Sequence, residues 1–484
     1  MRNLLFVFAL LPGLVHAAPS AVSTFHSIGL YWSPDSGAES SPARVEFRKA
    51  GDAQWRQGLD LWFDARNGEY RGSLVELEPG TEYEVRLALS GRTETIKAKT
   101  WNEAFPVKRT IDVSGRKRVV ITAEDSGDEK GYVVFTAPPG RNVIEGNDED
   151  ESCVVVRQGA HHVIVRGLVL KGCKRYGVLI QRKDGEPQTH DVVIEGNEIT
   201  GWGAKEILKP DSGLADSDAA IHCNYYREKD DAQRPDRIVI QRNRIHDPRH
   251  GANPWRSSAH GHLHPYGPLG VMFDRCGRNH VIRYNDIVSS NGNHYKDGIG
   301  GAENFSAAGF PWADSDIYGN RIQNVYDDGI EAEGANRNVR IWGNHLDRVF
   351  VAIGNAATTT GPLYVWRNVA QNQAGMFSPE EGRGGRRGPF VKAGSRKPEF
   401  NGGRAYYFHN TAQSADKGIA PSGGQLYNFV EKNNVFGRKE RGGRVERIPN
   451  FNDRYAQPAA GASQDGAPPM RFGAEAQTSA RSAH

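Results

Sequence analysis

Short apolar strands recur along the chain from about residue 110, and each ends at an asparagine that is followed by another apolar residue. Representative units are "VVIEGNEI", "SDIYGNRI" and "NVRIWGNHL", with strands dominated by Val, Ile and Tyr. The asparagines are Asn197, Asn243, Asn285, Asn320, Asn344, Asn368, Asn410 and Asn434. Their successive separations are 46, 42, 35, 24, 24, 42 and 24 residues, so a 24-residue step occurs three times. A constant step with insertions predicts a stacked solenoid over residues 105–445.

The repeat favours a right-handed parallel β-helix. Successive coils of such a solenoid lie about 4.8 Å apart, which brings equivalent residues into columns. A column of asparagines can satisfy its side-chain amides by hydrogen bonding from coil to coil, whereas one unpaired buried amide costs about 1–3 kcal/mol. Parallel strands joined by crossovers take the right hand. Leucine-rich repeats also carry an asparagine column, but the consensus leucines of that fold are missing here.

Residues 22–101 follow a different pattern, in which alternating strands are separated by turn clusters. In "LVELEPGTEYEVRL", Leu77 is expected to pack inward, a Pro-Gly pair turns the chain, and Tyr83 follows at the corner of a strand. This segment resembles the tyrosine corner of fibronectin type III domains. We expect Trp32 and Trp55 in its core. The chain is therefore predicted to be all-β, with a small β-sandwich before the solenoid.

The two ends of the chain are predicted to lie outside these domains. A positive residue, an apolar run and then small residues indicate a signal peptide over residues 1–17, and hence a secreted or periplasmic protein. That run is shorter than the roughly 20 residues that span a bilayer, so no membrane span is expected. Residues 446–484, rich in Gly, Ala, Arg and Ser, are predicted to be a disordered tail. A formal net charge of +3 gives no general indication of nucleic-acid binding.

The chain contains four cysteines, Cys153, Cys173, Cys223 and Cys276, whose spacing matches no zinc motif. In an exported protein they could form disulfides, and Cys153 and Cys173 could meet on neighbouring coils. Buried free thiols are an equal alternative at this point.

The segments "DDGIEAEG" and the "GNRI"-type strands are typical of one group of bacterial proteins. On these motifs, the body of the chain resembles the pectin lyase-like superfamily of right-handed parallel β-helices. The resemblance implies a polysaccharide partner, because the superfamily contains polysaccharide lyases, glycoside hydrolases, esterases and uronate epimerases, together with phage tailspikes and adhesins. The fold alone therefore does not choose a reaction.

The coil "YDDGIEAEG" is the richest in acidic residues, with Asp327, Asp328, Glu331 and Glu333. The preceding coil, "HYKDGIGGAEN", is predicted to place Asp297 beside Asp328, and it also contributes His294 and Lys296. If alternate residues of the strand face the core, Glu331 and Glu333 point outward on one face. Carboxylates this close raise one another's pKa unless a proton, a cation or a basic side chain intervenes. Ca²⁺ is the ion that suits such an all-oxygen site.

The residues predicted to bind substrate are aromatic or basic: His222, Trp255, His264, Tyr266, His294 and Arg386. Alignment places His222 in the same column as Glu331. Aromatic side chains stack on sugar rings, and histidines can bind a polyanion or transfer protons. Arg386 lies in a basic insertion that either steers an acidic polysaccharide or is a solvated loop. The segment "HGHLH", residues 260–264, could instead bind zinc.

Three functions are compatible with these residues. The leading hypothesis is a lyase that cleaves an acidic polysaccharide by β-elimination, for which the resemblance implies a basic Lys or Arg and acidic Ca²⁺ ligands. The predicted catalytic residues are Lys296, Asp297, Asp328 and Glu331, and the predicted Ca²⁺ ligands are Asp327, Asp328, Glu331 and Glu333. The first alternative is an inverting glycoside hydrolase, with Glu331 and Glu333 or Asp328 and Asp297 about 6.5–9.5 Å apart. The second is a non-catalytic polysaccharide-binding protein or adhesin.

The sequence departs from two families of the superfamily. It contains no complete "GHG" and "RIK" arrangement of the polygalacturonases and no "DPHD" motif of the alginate epimerases. The reaction type is therefore not decided by motifs. The concentration of Asp, Glu, His and Lys in a few middle coils still favours an enzyme over an evenly decorated adhesive solenoid.

Overall fold

The computed structural model describes residues 18–181, 187–206, 218–224, 234–256, 264–301, 304, 306–377, 386–395, 398–421, 428–439 and 445–448. The predicted signal peptide, residues 1–17, lies outside this set, as do residues 449–484 of the predicted tail. Within the described ranges the chain is all-β apart from two single-turn 3₁₀ helices, Ala123–Asp125 and Pro398–Phe400. No helix in these ranges is long and apolar enough to cross a membrane.

The N-terminal domain is a sandwich of two four-stranded antiparallel sheets. Its strands are β1 (Ser20–Ser23), β2 (Ile28–Trp32), β3 (Arg44–Lys49), β4 (Arg56–Gln57), β5 (Trp62–Asp64), β6 (Glu69–Leu74), β7 (Glu82–Leu89) and β8 (Arg92–Lys99). The strand orders are β1-β2-β6-β5 and β4-β3-β7-β8. In β7 every second residue is buried, which is the period expected of a strand with one face on the core.

The corner of the sandwich has the contact that the sequence indicated. The main-chain N–H of Glu78 donates a hydrogen bond of 2.9 Å to the hydroxyl of Tyr83, and Leu77 is buried. Trp32 is buried as predicted, but the prediction for Trp55 was wrong. Trp55 is half-buried between the guanidinium groups of Arg48 and Arg86, 4.5 and 3.7 Å from its ring centroid, because cations pack favourably over an indole face. Assignment to the fibronectin type III group stays a prediction.

The rest of the chain is a right-handed parallel β-helix with three sheet faces. The first face is an 11-stranded sheet of β9 (Val107–Asp112), β11 (Tyr132–Thr136), β14 (His161–Arg166), β17 (His190–Glu195), β20 (Asp236–Gln241), β23 (Val281–Arg283), β26 (Asp316–Tyr318), β28 (Val339–Trp342), β30 (Leu363–Trp366), β33 (Ala405–Phe408) and β36 (Phe429–Lys432).

The second and third faces belong to one 19-stranded sheet, because the long strands β27 (Arg321–Glu331) and β29 (His345–Asn355) run from one face onto the other. The second face also contains β12 (Val143–Glu145), β15 (Val169–Lys171), β18 (Glu198–Thr200), β21 (Arg244–His246), β24 (Asp286–Val288), β31 (Val369–Gln371), β34 (Thr411–Ala412) and β37 (Val435–Lys439). The third face also contains β10 (Val119–Ile121), β13 (Ser152–Val156), β16 (Tyr176–Gln181), β19 (Ala219–Asn224), β22 (Leu269–Asp274), β25 (Ile299–Gly301), β32 (Val391–Ala393) and β35 (Ile419–Pro421).

The predicted asparagine column is confirmed, and it marks the turn between the first and second faces. At Asn344, the main-chain N–H and the side-chain Nδ2 both donate to Oδ1 of Asn368, at 3.1 and 2.9 Å. Nδ2 also donates to the carbonyl of Ile317 at 3.0 Å. The same pattern runs through all eight asparagines, each of which is at most 2% exposed. The buried amides are satisfied only because the coils keep one register.

All four cysteines form disulfides, Cys153–Cys173 and Cys223–Cys276, which decides the alternative that the sequence left open. Disulfides are typical of proteins in oxidising compartments, in agreement with export from the cytoplasm. At the other end of the solenoid, β38 (Val445–Ile448) pairs antiparallel with β37, so the last strand extends three residues into the predicted tail.

The sandwich packs against the first face of the solenoid. Phe25 packs under the guanidinium of Arg283, 3.8 Å from its ring centroid. The hydroxyl of Tyr31 donates a 2.6 Å hydrogen bond to Asp314, and the neighbouring ion pair between Arg340 and Asp316 is at most 1% exposed. Buried pairs of this kind require fixed geometry. The sandwich therefore lies on the first face, and the acidic coil lies on the third.

Candidate functional site

The candidate site is built on the outward-facing row of the third face. Ile330, Ile353 and Val391 pair across three successive coils and point into the core. The residue after each of them points outward, because side chains alternate along a strand. The outward row is therefore Glu331, Gly354 and Lys392.

The five acidic residues of the site face outward but are buried by the surrounding chain. Asp297, Asp327, Asp328, Glu331 and Glu333 are each at most 5% exposed. The expected proximity of Asp297 and Asp328 is confirmed, because the main-chain N–H of Asp328 donates to Oδ1 of Asp297 at 3.0 Å. Burial makes unpaired charges costly, so this cluster requires compensation.

Three of these carboxyl groups share one arrangement, with one oxygen held and the other oxygen lacking a hydrogen-bond partner. Oδ1 of Asp297 accepts from the main chain of Asp328, and Oε1 of Glu331 accepts from the side-chain amide of Asn304 at 2.8 Å. Oδ2 of Asp328 accepts from Lys392 at 2.6 Å. Oδ2 of Asp297, Oδ1 of Asp328 and Oε2 of Glu331 are buried without such a partner. Buried polar atoms are nearly always paired in native proteins, so three such atoms together indicate a place for a ligand, proton or ion.

Lys392 is the main residue of the site that the sequence did not reveal. Its Nζ lies 2.6 Å from Oδ2 of Asp328 and 2.8 Å from Oε1 of Glu333, and its side chain is 24% exposed. It reaches these groups across Gly354, where a Cβ would overlap Oδ2 of Asp328. Gly300 flanks Glu331 on the other side, and a Cβ there would lie 3.2 Å from Oε2. Gly354 thus makes room for the Asp328 carboxyl, and Gly300 for the Glu331 carboxyl.

The charges of the site do not balance. Five carboxyl groups face two lysines, Lys296 and Lys392, so fully ionised acids would exceed the ammonium groups by three charges. Burial raises the pKa of Glu331 well above its ordinary value, and Asp297 and Glu333 raise it further. Burial likewise raises the pKa of Asp328, although its ion pair with Lys392 opposes this. Burial disfavours the charge of Lys392, but the carboxylates of Asp328 and Glu333 outweigh it and raise the pKa of this ammonium well above its ordinary value.

Lys296, the predicted base, lies at the edge of the cluster. Its Nζ is 3.6 Å from Oδ2 of Asp297, and its side chain is 13% exposed. On the same side, Nε2 of His264 lies 3.3 Å from Oδ2 of Asp327. Burial and Asp297 together raise the pKa of Asp327. The predicted residues Lys296 and His264 are therefore brought to the acidic cluster.

Aromatic groups line the same edge. The His264 ring contacts Trp255 edge-to-face at a centroid distance of 4.7 Å and lies 5.7 Å from Tyr266. His264 is 46% exposed at its side chain, so this group can meet solvent. His294 stacks on Tyr326 at 4.1 Å, directly beside Asp327 in the chain. Four of the residues predicted to bind substrate, Trp255, His264, Tyr266 and His294, thus lie at this edge of the cluster.

Two predicted residues are not brought to the cluster. His222 stands in the column of Glu331, as expected, but Met272 and Gly300 separate them, so it lies three coils away. It is 2% exposed and contacts Tyr176 at a ring distance of 4.8 Å. Arg386 is exposed next to β32, with no described contact to the acidic residues. His260 and His262 of the zinc alternative lie outside the described residues.

The acidic cluster fits a hard cation. One oxygen from each of Asp297, Asp328 and Glu331 lies within 4.8 Å of the others. Ca²⁺ binds carboxylate oxygens at about 2.3–2.6 Å, so two oxygens on opposite sides of one ion are separated by about this distance. Of the four predicted ligands, Asp328 and Glu331 belong to this group, and Asp297 joins them. Asp327 is paired with His264 and Glu333 with Lys392.

No protein-family model and no curated protein matches the sequence. Solved structures that match include PfbA, a surface adhesin of Streptococcus pneumoniae, at 12% identity and a TM-score of 0.36, with 72% of this chain and 75% of that chain covered. The catalytic unit of a GH87 α-1,3-glucanase from Streptomyces thermodiastaticus strain HF3-3 matches at 12% identity and a TM-score of 0.30, with 86% and 88% covered. Pectate lyase PelI from Erwinia chrysanthemi matches at 9% identity and a TM-score of 0.19, with 90% and 95% covered. These values are too low to transfer an activity, so function is argued from the site.

Proposed function

We propose that this chain is an exported enzyme that cleaves a polysaccharide by glycoside hydrolysis at the third-face carboxyl cluster. The observation that carries the proposal is a pair of buried carboxyl groups, Glu331, whose Oε2 has no hydrogen-bond partner, and Glu333, which is ion-paired with Lys392. Glycoside hydrolysis needs one carboxyl group that holds a proton and one that does not. Glu331, whose pKa is raised by burial, suits the role of the protonated group. Glu333, which is ion-paired with Lys392, suits the role of the other group.

Glu331 is the proposed general acid. Its raised pKa favours the protonated form, and the Asn304 amide orients the carboxyl through Oε1, which leaves Oε2 for the proton. Gly300 has no side chain to crowd Oε2, because a Cβ at that position would lie 3.2 Å from this oxygen. A general acid is most effective when its pKa is close to the working pH.

Glu333 is the proposed general base. Nζ of Lys392 lies 2.8 Å from its Oε1, so an ammonium group faces this carboxyl. Glu333 lies two residues past the end of β27, and inverting enzymes place their two carboxyl groups about 6.5–9.5 Å apart. Glu333 removes a proton from water as the water oxygen bonds to the anomeric carbon. Glu331 gives its proton to the departing oxygen as the glycosidic bond breaks.

The substrate is proposed to be an acidic polysaccharide. Lys296 places an ammonium group and His264 an imidazole beside the acids, where they can bind a sugar carboxylate. Trp255, 4.7 Å from His264, offers an apolar ring for stacking on a sugar face.

The test is incubation of the whole protein with a panel of uronic-acid and neutral polymers. We expect new reducing ends without the ultraviolet absorbance of unsaturated uronate, and one anomer in the initial product. Glu331→Gln should abolish release of reducing ends while the protein stays folded. The matched control is Glu195→Gln, which removes an acid of the first face that is paired with Arg166. Full activity of Glu331→Gln would contradict the assignment.

β-Elimination is the second candidate, supported by the Asp297, Asp328 and Glu331 oxygens within 4.8 Å and by Lys296 beside them. Ca²⁺ bound there would neutralise the substrate carboxylate, and Lys296 would have to lose its proton before it could take one from the sugar. Unsaturated ends that disappear on chelation with EDTA would establish this reaction in place of hydrolysis. Binding without any new ends on any polymer would establish a non-catalytic binding protein or adhesin.

A further inference from the structure

A second cluster of ionisable side chains lies far along the chain from the acidic site, at the turn that leads into the first face. Two consecutive histidines, His161 and His162, begin β14, and His190 and Asp191 occupy the equivalent positions at the start of β17. Nδ1 of His161 lies 3.1 Å from Nδ1 of His162. Nδ1 of His190 lies 2.7 Å from Oδ2 of Asp191, and Nε2 of His162 lies 3.8 Å from the same oxygen.

The coil repeat produces this cluster. His162, Asp191 and Arg237 occupy the same corner of three successive coils, and each has a left-handed backbone with φ between 50 and 52°. This conformation is uncommon for residues other than glycine, so the corner imposes it. Strand pairing also places His161 directly over His190, with the rings parallel at 4.9 Å. The imidazoles are therefore aligned by the register of the solenoid.

We propose that His162, His190 and Asp191 bind a divalent transition metal of the zinc class. One ligand atom from each of the three residues lies within 4.8 Å of the other two. Tetrahedral zinc takes imidazole nitrogen and carboxylate oxygen at about 2.0–2.2 Å, which puts its ligands about 3.3 Å apart. The His162–Asp191 separation of 3.8 Å is somewhat longer than that value and the His190–Asp191 separation of 2.7 Å is shorter, so side-chain adjustments of about half an ångström would complete the ligand set. The nitrogen donors select zinc-like ions over calcium, which prefers oxygen.

The three proposed ligands are accessible from solvent. The side chains of His162, His190 and Asp191 are 12, 27 and 17% exposed, so an ion can reach them from solvent.

Substitution of Arg237 distinguishes a metal site from a simple ion pair with Asp191. Nε of Arg237 donates to both oxygens of Asp191, at 3.0 and 3.1 Å, and its Nη2 donates to Oδ2 of Asp191 and lies 3.2 Å from Nδ1 of His190. The guanidinium therefore competes with an ion for two of the proposed ligands. If Asp191 serves only as the partner of Arg237, removal of the guanidinium will not create affinity for a metal. If the cluster is a metal site, Arg237→Gln should bind the ion more tightly than the wild type, because one competing positive charge is gone.

The experiment is titration of the whole, chelator-treated protein with Zn²⁺ by calorimetry, and with Co²⁺ by visible absorption. We expect one site with nitrogen ligation that is weakened at least tenfold by His190→Ala and by Asp191→Asn, and strengthened by Arg237→Gln. The matched control is His246→Ala, because His246 also contacts two carboxylates, Glu198 at 2.9 Å and Asp247 at 3.0 Å.

Ions bound at the acidic site are distinguished by Glu331→Gln. If Zn²⁺ binding is lost in Glu331→Gln but unchanged in His190→Ala, the ion binds the third face, and the inference is overturned. Absence of binding in the folded wild type, or equal affinity in wild type and His190→Ala, also overturns it. The readout is binding, so it is independent of whether the chain cleaves a polysaccharide.

Discussion

Replacement of Lys392 by methionine removes the only ammonium within 3 Å of the Asp328 and Glu333 carboxylates among the described residues. Lys392→Met keeps the length of the side chain but leaves two buried carboxylates without their ion-pair partner at 2.6 and 2.8 Å. Loss of one member of a buried pair typically costs about 3–5 kcal/mol. Because the Lys392 side chain is 24% exposed, solvent screens part of this effect. We expect a loss of about 3 kcal/mol in the free energy of unfolding at pH 7.

The loss should depend on pH in a defined direction. Without the ammonium, the pKa of Asp328 in the folded state rises further above its unfolded value, so protons favour the folded variant. The difference from the wild type should therefore shrink as the pH falls from 7 toward 4. In the double variant Lys392→Met with Asp328→Asn, one of the two uncompensated charges is gone, and part of the loss should be recovered at pH 7.

Urea unfolding followed by tryptophan fluorescence at pH 7 and pH 4.5 measures these differences. Lys432→Met is the matched control, because Lys432 is exposed on the first face and should change stability by less than about 0.5 kcal/mol. A change below about 1 kcal/mol for Lys392→Met at pH 7, or a loss that does not depend on pH, would refute the buried ion-pair account.

Three further predictions concern the scaffold. Asn344→Ala should destabilise the fold by about 3 kcal/mol, seen as a lower urea midpoint, because it leaves the groups bonded to the Asn344 amide unpaired. Burial lowers the pKa of His222 to about 3, so its contribution to stability is present above pH 6.5 and is lost as the pH falls toward 3. Between pH 7 and pH 5, the free energy of unfolding of His222→Met should therefore fall by about 2 kcal/mol less than that of the wild type. Replacement of Cys153 and Cys173 by serine opens a loop with a sequence separation of 20 residues and should cost about 3 kcal/mol in the same unfolding assay.

The fold was largely predictable because its determinant is a single repeated residue. Asn320 and Asn344 are separated by one coil without an insertion, so their step gives the coil length directly. The same alignment placed Asp297 next to Asp328, as the hydrogen bond between them confirms. Alignment of the coils on their asparagines therefore predicts which residues are neighbours when the register between the two coils is known.

The rest of the site depends on contacts made across insertions and by connecting segments, which alignment of the asparagines does not predict. Lys392 lies in a coil whose asparagine step is 42 residues, so the insertion hides its relation to Glu331. The only signal was local, because "VKA" at 391–393 repeats the apolar-charged-apolar pattern of "IEA" at 330–332. Asn304, which binds Glu331, lies in the connection after β25 and not in a strand, so coil alignment assigns it no position. Connections of this kind also bury the outward-facing acids.

The asparagine column also determines where the protein can change during evolution. Its steps exceed 24 residues by 11, 18 or 22, yet every step returns the chain to the same hydrogen bonds. Connecting segments of very different length are thus accommodated between successive asparagines of the column, and the hydrogen bonds of the column are unchanged. Related chains are therefore expected to exchange whole loops beside the third face and acquire new sugar preferences on an unchanged scaffold.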